Sequence, residues 1–206
     1  TSRGLGDVYK RQCLAQVRNY FRDGKGDITE EDVSSDELTD SVMPVSEINS
    51  IPITQDNLSR IIPGMIWYED DTVSEELIED KIVKSVVLFI KEGVVYGDTF
   101  VDTESSWHGS YKLIEKFTNK YVAEGEAYWM TCKDFDVLAE NINTINSTLR
   151  ILDKPLWRCY WKDFYWSCTE STGSYAWKIL LPNDAYNMYK GEIEYIRPVM
   201  VYKVEK

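Results

Sequence analysis

The chain has 206 residues, 43% of them hydrophobic and 28% charged, and a formal net charge of −12. This length and composition indicate a globular protein with one domain and an appendage, or with two small domains. The acidic balance argues against nucleic acid and anionic membrane surfaces as partners, because both require a basic footprint. No apolar run of about 18 residues occurs, so we predict no membrane insertion.

The residue types that usually build metal centres and catalytic triads are scarce. The chain has one His, and its 4 Cys, at positions 13, 132, 159 and 168, show neither a C-x-x-C nor a His-paired spacing. A zinc site and a His-based triad are therefore not expected, and we predict no metal and no cofactor. The 7 Trp and 14 Tyr either fill a core or furnish a binding face.

Residues 1–12 are set apart from the fold. The segment from Asp7 to Gln12 is the translation of a common sequencing-library adaptor, so we interpret residues 1–12 as an artefact of a metagenomic gene assembly. A genuine basic N-terminus is the alternative. We expect the natural N-terminus, with any signal peptide, to be missing.

Residues 13–62 are predicted to form an N-terminal arm or linker that starts with a small helical segment. Residues 23–32 are faintly similar to an EF-hand loop. Unsuitable side chains stand at two of the ligand positions, so a solvated acidic turn is favoured over calcium binding. The acidic, Ser/Thr-rich stretch 27–50 indicates a loosely packed linker. Apolar residues near its end are expected to dock onto another surface, and residues 13–62 could mediate a homo-oligomer.

A folded domain is predicted to begin at Pro63 and to extend to residue 206. Its first strand is predicted at residues 65–68. The apolar, β-branched run at 85–90 predicts a buried strand, and a turn at Glu92-Gly93 predicts a hairpin with residues 94–96.

Two helices are predicted next. Ser110 is expected to cap the first, which runs to about residue 123. Thr131 and Asp134 have the spacing of a capping box and predict the start of the second helix. The apolar face of the second helix recurs at steps of three and four: Phe135, Leu138, Ile142, Ile145 and Leu149.

The chain after Trp157 is aromatic and polar, with strands predicted at residues 175–181 and 195–204. The last strand is expected to pair with the first strand of the domain, which would bring the domain termini together. Strand, hairpin, two helices and several short strands form an α+β order.

Three C-terminal stretches carry a resemblance to a known family: Tyr165–Glu170, Ala176–Trp177 and Ile196–Val199. They are similar to the YWSSTE…AW…VRPV signature of a bacterial and phage domain family with the C-type-lectin fold. Residues 126–138 are similar to the family's W-x-L-P segment and following helix, and residues 64–74 to its G-D-(I/V)-x-Y-x-D-G-T strand and turn. The chain departs from the family at Met130-Thr131, at Cys168 and at Asp71.

The resemblance implies a C-type-lectin-like domain at residues 63–206, with two helices packed on short antiparallel strands and paired termini. It also implies a surface, secreted or virion location in a gut bacterium or its phage. Formylglycine-generating enzymes share this broad fold, so a copper-binding pair of Cys159 and Cys168 is a third possibility. Their active-site motif is not recognisable here, and we predict no enzyme. Two buried thiols are favoured over a disulfide.

The sequence gives little support for catalysis or calcium binding by other acidic residues. Glu170 lacks a second carboxylate at a catalytic spacing, so we expect a buried Glu that contacts the backbone or Arg197. A calcium site at Glu69, Asp70 and Asp71 is disfavoured, because the Glu-Pro-Asn and Trp-Asn-Asp patterns of calcium-dependent lectins are missing. His108 is expected in a loop.

The segment between Lys178 and Tyr195 is rich in Tyr and Asn, which is typical of binding surfaces, although an ordinary exposed strand and turn is the alternative. Relatives in the resembling family diversify this region by retroelements. We predict ligand-binding residues at Lys178, Leu180, Asn183, Asp184, Tyr186, Asn187, Tyr189, Lys190 and Glu192.

These observations together predict a non-enzymatic ligand-binding or adhesion module whose partner is a protein or glycan on a cell surface. It is expected to be a receptor-binding protein that a retroelement could diversify. The alternative is a structural subunit of a surface or virion assembly.

Overall fold

Short strands in two sheets and two α-helices form the part of the chain that the computed structural model describes, residues 50–121, 127–182 and 184–204. These residues belong to one compact unit that spans residues 46–206. This composition of elements confirms the predicted α+β class. The predicted helix and acidic turn of the N-terminal arm lie outside the described residues.

The first sheet has six strands: β1 (Ile51–Pro52), β2 (Ile66–Tyr68), β3 (Thr72–Ser74), β4 (Val83–Lys91), β5 (Val94–Asp98) and β11 (Val199–Lys203). Their order is β1-β3-β2-β4-β5-β11, with every neighbour antiparallel. The strand predicted at 65–68 and the hairpin of β4 and β5 are confirmed. The hairpin turns at Glu92 and Gly93, both with positive φ, a conformation that glycine adopts without a steric penalty.

The second sheet has five strands: β6 (Thr103–Ser106), β7 (Tyr165–Glu170), β8 (Tyr175–Leu180), β9 (Asp184–Tyr189) and β10 (Ile193–Ile196). Their order is β6-β10-β7-β8-β9, and only the β10–β7 pair is parallel. Because β9 is the last strand in this order, one of its sides has no neighbouring strand among the described residues.

The longer helix, α2 (Cys132–Ile151), packs between strands of both sheets. Its predicted capping box is confirmed: Asp134 N–H donates to the Thr131 hydroxyl, and the Asp134 carboxylate accepts from Thr131 N–H at 2.8 Å. The predicted apolar face is also confirmed, because all five of its residues are buried against β4, β7 and β8. Each such side chain contributes about 1.5–3 kcal/mol when it leaves water.

The shorter helix, α1 (Trp107–Tyr121), begins three residues before the predicted cap. The Ser106 hydroxyl accepts from Gly109 N–H at 3.2 Å, which is the contact of a helix N-cap. Ser110 instead lies in the first turn, where its hydroxyl donates to the Ser106 carbonyl. The predicted position of the cap was therefore wrong, because two serines four residues apart offered the same local signal.

The last strand also differs from the prediction. β11 pairs with β5 over five residue pairs, not with the first strand of the domain. β4 and β5 lie between β11 and β2, the strand predicted at residues 65–68, so the expected pairing of the domain termini was wrong. Residues 50–62, assigned to the arm from sequence, contribute β1 and the buried Ile53 and Ile61 to this fold.

Replacing Asp134 with Ala is expected to lower the free energy of unfolding by about 1–2 kcal/mol near neutral pH, because the helix cap is lost. Burial by itself raises the pKa of Asp134, but hydrogen bonds from Thr131, Tyr128 and Lys91 outweigh burial and hold this pKa below its usual range. Such a carboxyl stabilises the fold above its unfolded pKa of about 3.9, and this contribution disappears as pH falls through the folded value.

Urea unfolding at neutral pH and at about pH 3 measures this prediction. The stability difference between wild type and Asp134→Ala is expected to shrink in acid. A difference that is the same at both pH values would show that the carboxylate charge is not what holds the cap.

Candidate functional site

The hairpin of β8 and β9 carries most of the residues predicted to bind a ligand. Its strands pair in register over six residue pairs without a bulge. On β9, Asp184, Tyr186, Asn187 and Tyr189 are all exposed, and only Met188 is half-buried. Asp184 and Tyr186 lie on the same face of the sheet as Met188, whereas Asn187 and Tyr189 lie on the opposite face. The hairpin therefore presents polar and aromatic side chains on both faces.

The exposed aromatic rings of this hairpin rest on other rings. Tyr189 packs edge-on against Tyr175 with the ring centroids 6.2 Å apart. Tyr186 packs edge-on against Phe164 at 5.4 Å. Ring pairs of this kind restrict side-chain rotation, while Tyr186 and Tyr189 both stay exposed. Both tyrosines are therefore partly ordered before any partner arrives.

Two further exposed aromatics lie in the loop before β7. Trp161 is 81% exposed and Tyr160 is 71% exposed. Neither these two residues nor Tyr175 on β8 was among the residues predicted to bind a ligand. For Tyr175 the signal was available, since it alternates with the buried Ala176 at the start of a strand. No local pattern distinguished Trp161 from the buried tryptophans.

Lys178 is buried although it was predicted to bind a ligand. It is 6% exposed, its ammonium group is 2.5 Å from the Glu194 carboxylate, and it lies 3.9 Å from the centroid of the Phe164 ring. Its side chain stands on the same face as the buried Ala176. These contacts support a role for Lys178 in the framework under the hairpin, and ligand binding by Lys178 stays a prediction.

Lys190 is also buried. It is 2% exposed, with its ammonium group 3.2 Å from the Gly173 carbonyl and 3.3 Å from the Glu170 carboxylate. The same group lies 4.1 Å from the centroid of the Trp107 ring. These contacts hold the ammonium group of Lys190 inside the domain, so they support a framework role for Lys190. Its role in ligand binding stays a prediction.

The remaining predicted residues divide by exposure. Glu192 is exposed in the turn after β9, where its N–H donates to the Tyr189 carbonyl. Leu180 is half-buried at the end of β8. Asn183 lies outside the described residues. Ligand binding by the exposed residues stays a prediction.

Three buried indole N–H groups donate hydrogen bonds to backbone carbonyls of the sheet that contains the β8–β9 hairpin. Trp107 Nε1 donates to the Ser167 carbonyl at 2.8 Å, and Trp129 Nε1 donates to the Trp166 carbonyl at 2.8 Å. Trp166 Nε1 donates to the Ser105 carbonyl at 3.2 Å. All three rings are buried in one cluster with Ala176. These bonds connect α1, β6 and the segment before α2 to β7 without using β9.

Arg197 lies at the centre of a second buried hydrogen-bond network, which includes two carboxylates. Its Nη2 and Nε donate to the two carboxylate oxygens of Asp98 at 2.8 and 3.0 Å, and its Nη1 donates to Asp102 at 3.3 Å. Trp157 Nε1 also donates to Asp98, at 2.8 Å. Glu170 was expected to be a buried residue that contacts the backbone or Arg197. This expectation was wrong, because Glu170 is exposed and forms its ion pair with Lys190.

The cysteines near this site are free thiols with separate surroundings. Cys168 packs beside the tryptophan cluster, and burial raises the pKa of Cys168 to about 11. Cys159 is exposed, so the prediction of two buried thiols was wrong for this residue. Its thiol lies near the Trp157 carbonyl and the Asn146 amide. A thiol with a raised pKa is a weak nucleophile near neutral pH.

The acidic turn after β2 is neutralised by lysines. Asp70 pairs with Lys81 at 2.7 Å, and Asp71 pairs with Lys84 at 2.8 Å. Among residues 50–121, 127–182 and 184–204, no group of three or more His, Cys, Asp or Glu is arranged to hold a metal ion. Predicted as a loop residue, His108 lies in the first turn of α1 instead.

Comparison with known proteins leaves the family open: no family model matches the chain, and no curated protein matches it significantly. The resemblance to the C-type-lectin-fold family therefore stays a prediction. Within the described part of the chain, no helix is both long and apolar enough to cross a membrane.

Proposed function

We propose that this chain is a non-enzymatic binding module that presents the exposed side chains of the β8–β9 hairpin to a ligand on a cell surface. The observation that carries the proposal is the contrast between β9 and its support. Nearly every side chain of β9 is exposed, two of them tyrosines, while the neighbouring strands are fixed by buried indoles and ion pairs. Exposed tyrosines on a rigid support are typical of binding surfaces.

A C-type-lectin-like fold is the architecture we propose for residues 50–204. Two helices on short, mostly antiparallel strands support it, as do the buried positions of Trp166 and Arg197 within the signature motifs. The opposite-edge positions of β1 and β11 depart from the paired termini that the resemblance implies. An extracellular, cell-surface or virion location, in a gut bacterium or its phage, accompanies this fold proposal.

The arrangement around Cys168 and Glu170 supports a binding role over catalysis. The raised pKa of Cys168 leaves this thiol protonated near neutral pH. Glu170 is exposed and paired with Lys190.

Alanine at Tyr175, Tyr186 and Tyr189 tests the proposal. The full chain would be applied to arrays of glycans and of bacterial surface proteins, and the triple variant would then be tested on whatever the wild type binds. We expect affinity to fall at least about tenfold, because exposed tyrosines at the centre of an interface are frequent hot spots.

The matched control replaces two exposed apolar residues outside the hairpin, Ile82 and Ile151, with Ala, and it should bind like the wild type. Thermal unfolding would establish that both variants are folded. Binding that survives the tyrosine substitutions but is lost in the control would place the binding surface elsewhere.

A further inference from the structure

Within residues 50–121, 127–182 and 184–204, the outer edge of β9 is not paired with another strand, and β9 itself lacks the residues that usually protect a sheet edge. Its six residues contain neither Pro nor Lys, and the register with β8 is continuous. Natural edge strands are commonly blunted by proline, lysine, a bulge or a covering segment. A regular edge strand without them can pair with another extended chain.

The hydrogen bonds around the hairpin show which backbone groups of β9 face this edge. Lys190 N–H donates to the Ser174 carbonyl, towards β8. The carbonyls of Tyr175 and Trp177 accept from residues on the β7 side, away from β9. Backbone groups alternate in direction along an antiparallel strand. The N–H and C=O groups of Ala185 and Asn187 therefore point outward, where no neighbouring strand lies among the described residues.

The exposed charged side chains of residues 165–197 are all acidic. Residues 165–197 contain three cations, Lys178, Lys190 and Arg197, and each is buried in an ion pair. Three carboxylates in the same range are exposed: Glu170, Asp184 and Glu192. The exposed tyrosines beside them offer ring faces to which a guanidinium or ammonium group is attracted.

We propose that β9 binds an extended, cationic polypeptide segment of another protein, which adds to the five-stranded sheet as a sixth strand. This inference rests on the proposed binding function and specifies its partner. The outward groups of Ala185 and Asn187 supply the main-chain hydrogen bonds. Asp184, Glu192 and the tyrosines select Arg or Lys side chains. A second copy of this chain fits less well, because each copy carries a charge of −12 and exposes the same carboxylates.

The test uses the full chain and a synthetic peptide of alternating Arg and Val, with a peptide of alternating Glu and Val as the charge-reversed control. We expect the Arg peptide to bind, the Glu peptide not to bind, and added salt to weaken the complex. Asn187→Pro removes one outward N–H that β8 does not use. It should lower affinity about tenfold or more, because proline also obstructs the approach of a neighbouring strand.

Asn187→Ala is the matched variant, since it removes the side chain and keeps the N–H, and it should bind nearly as well as the wild type. Hydrogen exchange gives a second readout that does not depend on the proline variant folding. The Asn187 amide should exchange freely in the unbound chain and slow on peptide binding, whereas the Tyr186 amide should be protected in both states.

Each other outcome counts against the addition of a cationic segment from another protein. Failure of the Arg peptide to bind at millimolar concentration overturns it, as does binding that leaves Asn187 exchange unchanged. A concentration-dependent dimer that Asn187→Pro abolishes would make a second copy the occupant. If a glycan binds, is lost in the tyrosine variant and is unaffected by Asn187→Pro, the hairpin is a binding site but its partner is not a strand.

Discussion

Replacing Arg197 with Met is expected to lower the free energy of unfolding by about 3–5 kcal/mol. The side chains of Arg197 and Asp98 are both fully buried, and Asp102 is nearly so. Without the guanidinium, both carboxylates stay in an apolar interior with much of their hydrogen bonding removed. Equilibrium unfolding in urea at neutral pH measures the change.

The pH dependence of this effect has a definite sign. Burial raises the pKa of Asp102, and Arg197 opposes that rise. A carboxyl with a raised folded pKa contributes stability below its unfolded pKa of about 3.9, and that contribution is lost as pH rises through the folded value. Removing Arg197 raises the folded pKa further, so the cost of Arg197→Met should be largest at neutral pH and smaller in acid.

Arg158→Met provides the control for Arg197→Met. Arg158 also pairs with Asp102, at 3.4 Å, but 42% of its side chain is exposed. An ion pair this open to solvent contributes about 1 kcal/mol or less. Equal losses in the two variants would mean that burial of the Arg197 network is not the source of its stability.

Replacing Lys178 with Met is expected to have the second largest effect, a loss of about 3 kcal/mol, because Glu194 is left as an unpaired and mostly buried carboxylate. The double variant Lys178→Met/Glu194→Leu should recover most of this loss. Replacing both partners of a buried ion pair with apolar side chains of similar size is often close to neutral. Urea unfolding of the two single variants and the double variant gives the coupling energy of the pair.

The same variants distinguish a framework role from a ligand-binding role. If Lys178 supports the hairpin from inside, the double variant should regain ligand binding along with stability. If Lys178 contacts the ligand, binding should stay lost after stability returns. A coupling energy near zero would contradict the buried ion pair itself.

Structural features that depend on residues close together in the sequence were the ones predicted correctly. Thr131 and Asp134 are three residues apart, and the apolar face of α2 repeats within a few turns, so both could be read from sequence. The start of α1 was missed because Ser106 and Ser110 carry equivalent capping chemistry. Only the folded chain shows that Ser106 accepts and Ser110 donates.

Contacts between residues far apart in the chain could not be predicted from the sequence. Arg197 and Asp98 are 99 positions apart, and the sequence around neither residue indicates that the other is its partner. The pairing of β11 with β5 has the same cause, since several apolar strands could have accepted β11. The burial of Lys178 did have a local signal, its two-residue alternation with Ala176. The general tendency of lysine to lie at the surface concealed that signal.

The exposure of Trp161 has a consequence for spectroscopy. Five of the seven indoles, those of Trp67, Trp107, Trp129, Trp157 and Trp166, are buried, and Trp177 is half-buried. A collisional quencher such as acrylamide reaches a solvent-facing indole far more readily than an enclosed one. The quenchable emission of the native chain would therefore come mainly from Trp161, and the shielded emission would become quenchable only on denaturation. A single fluorescence titration could thus follow the loop and the interior separately.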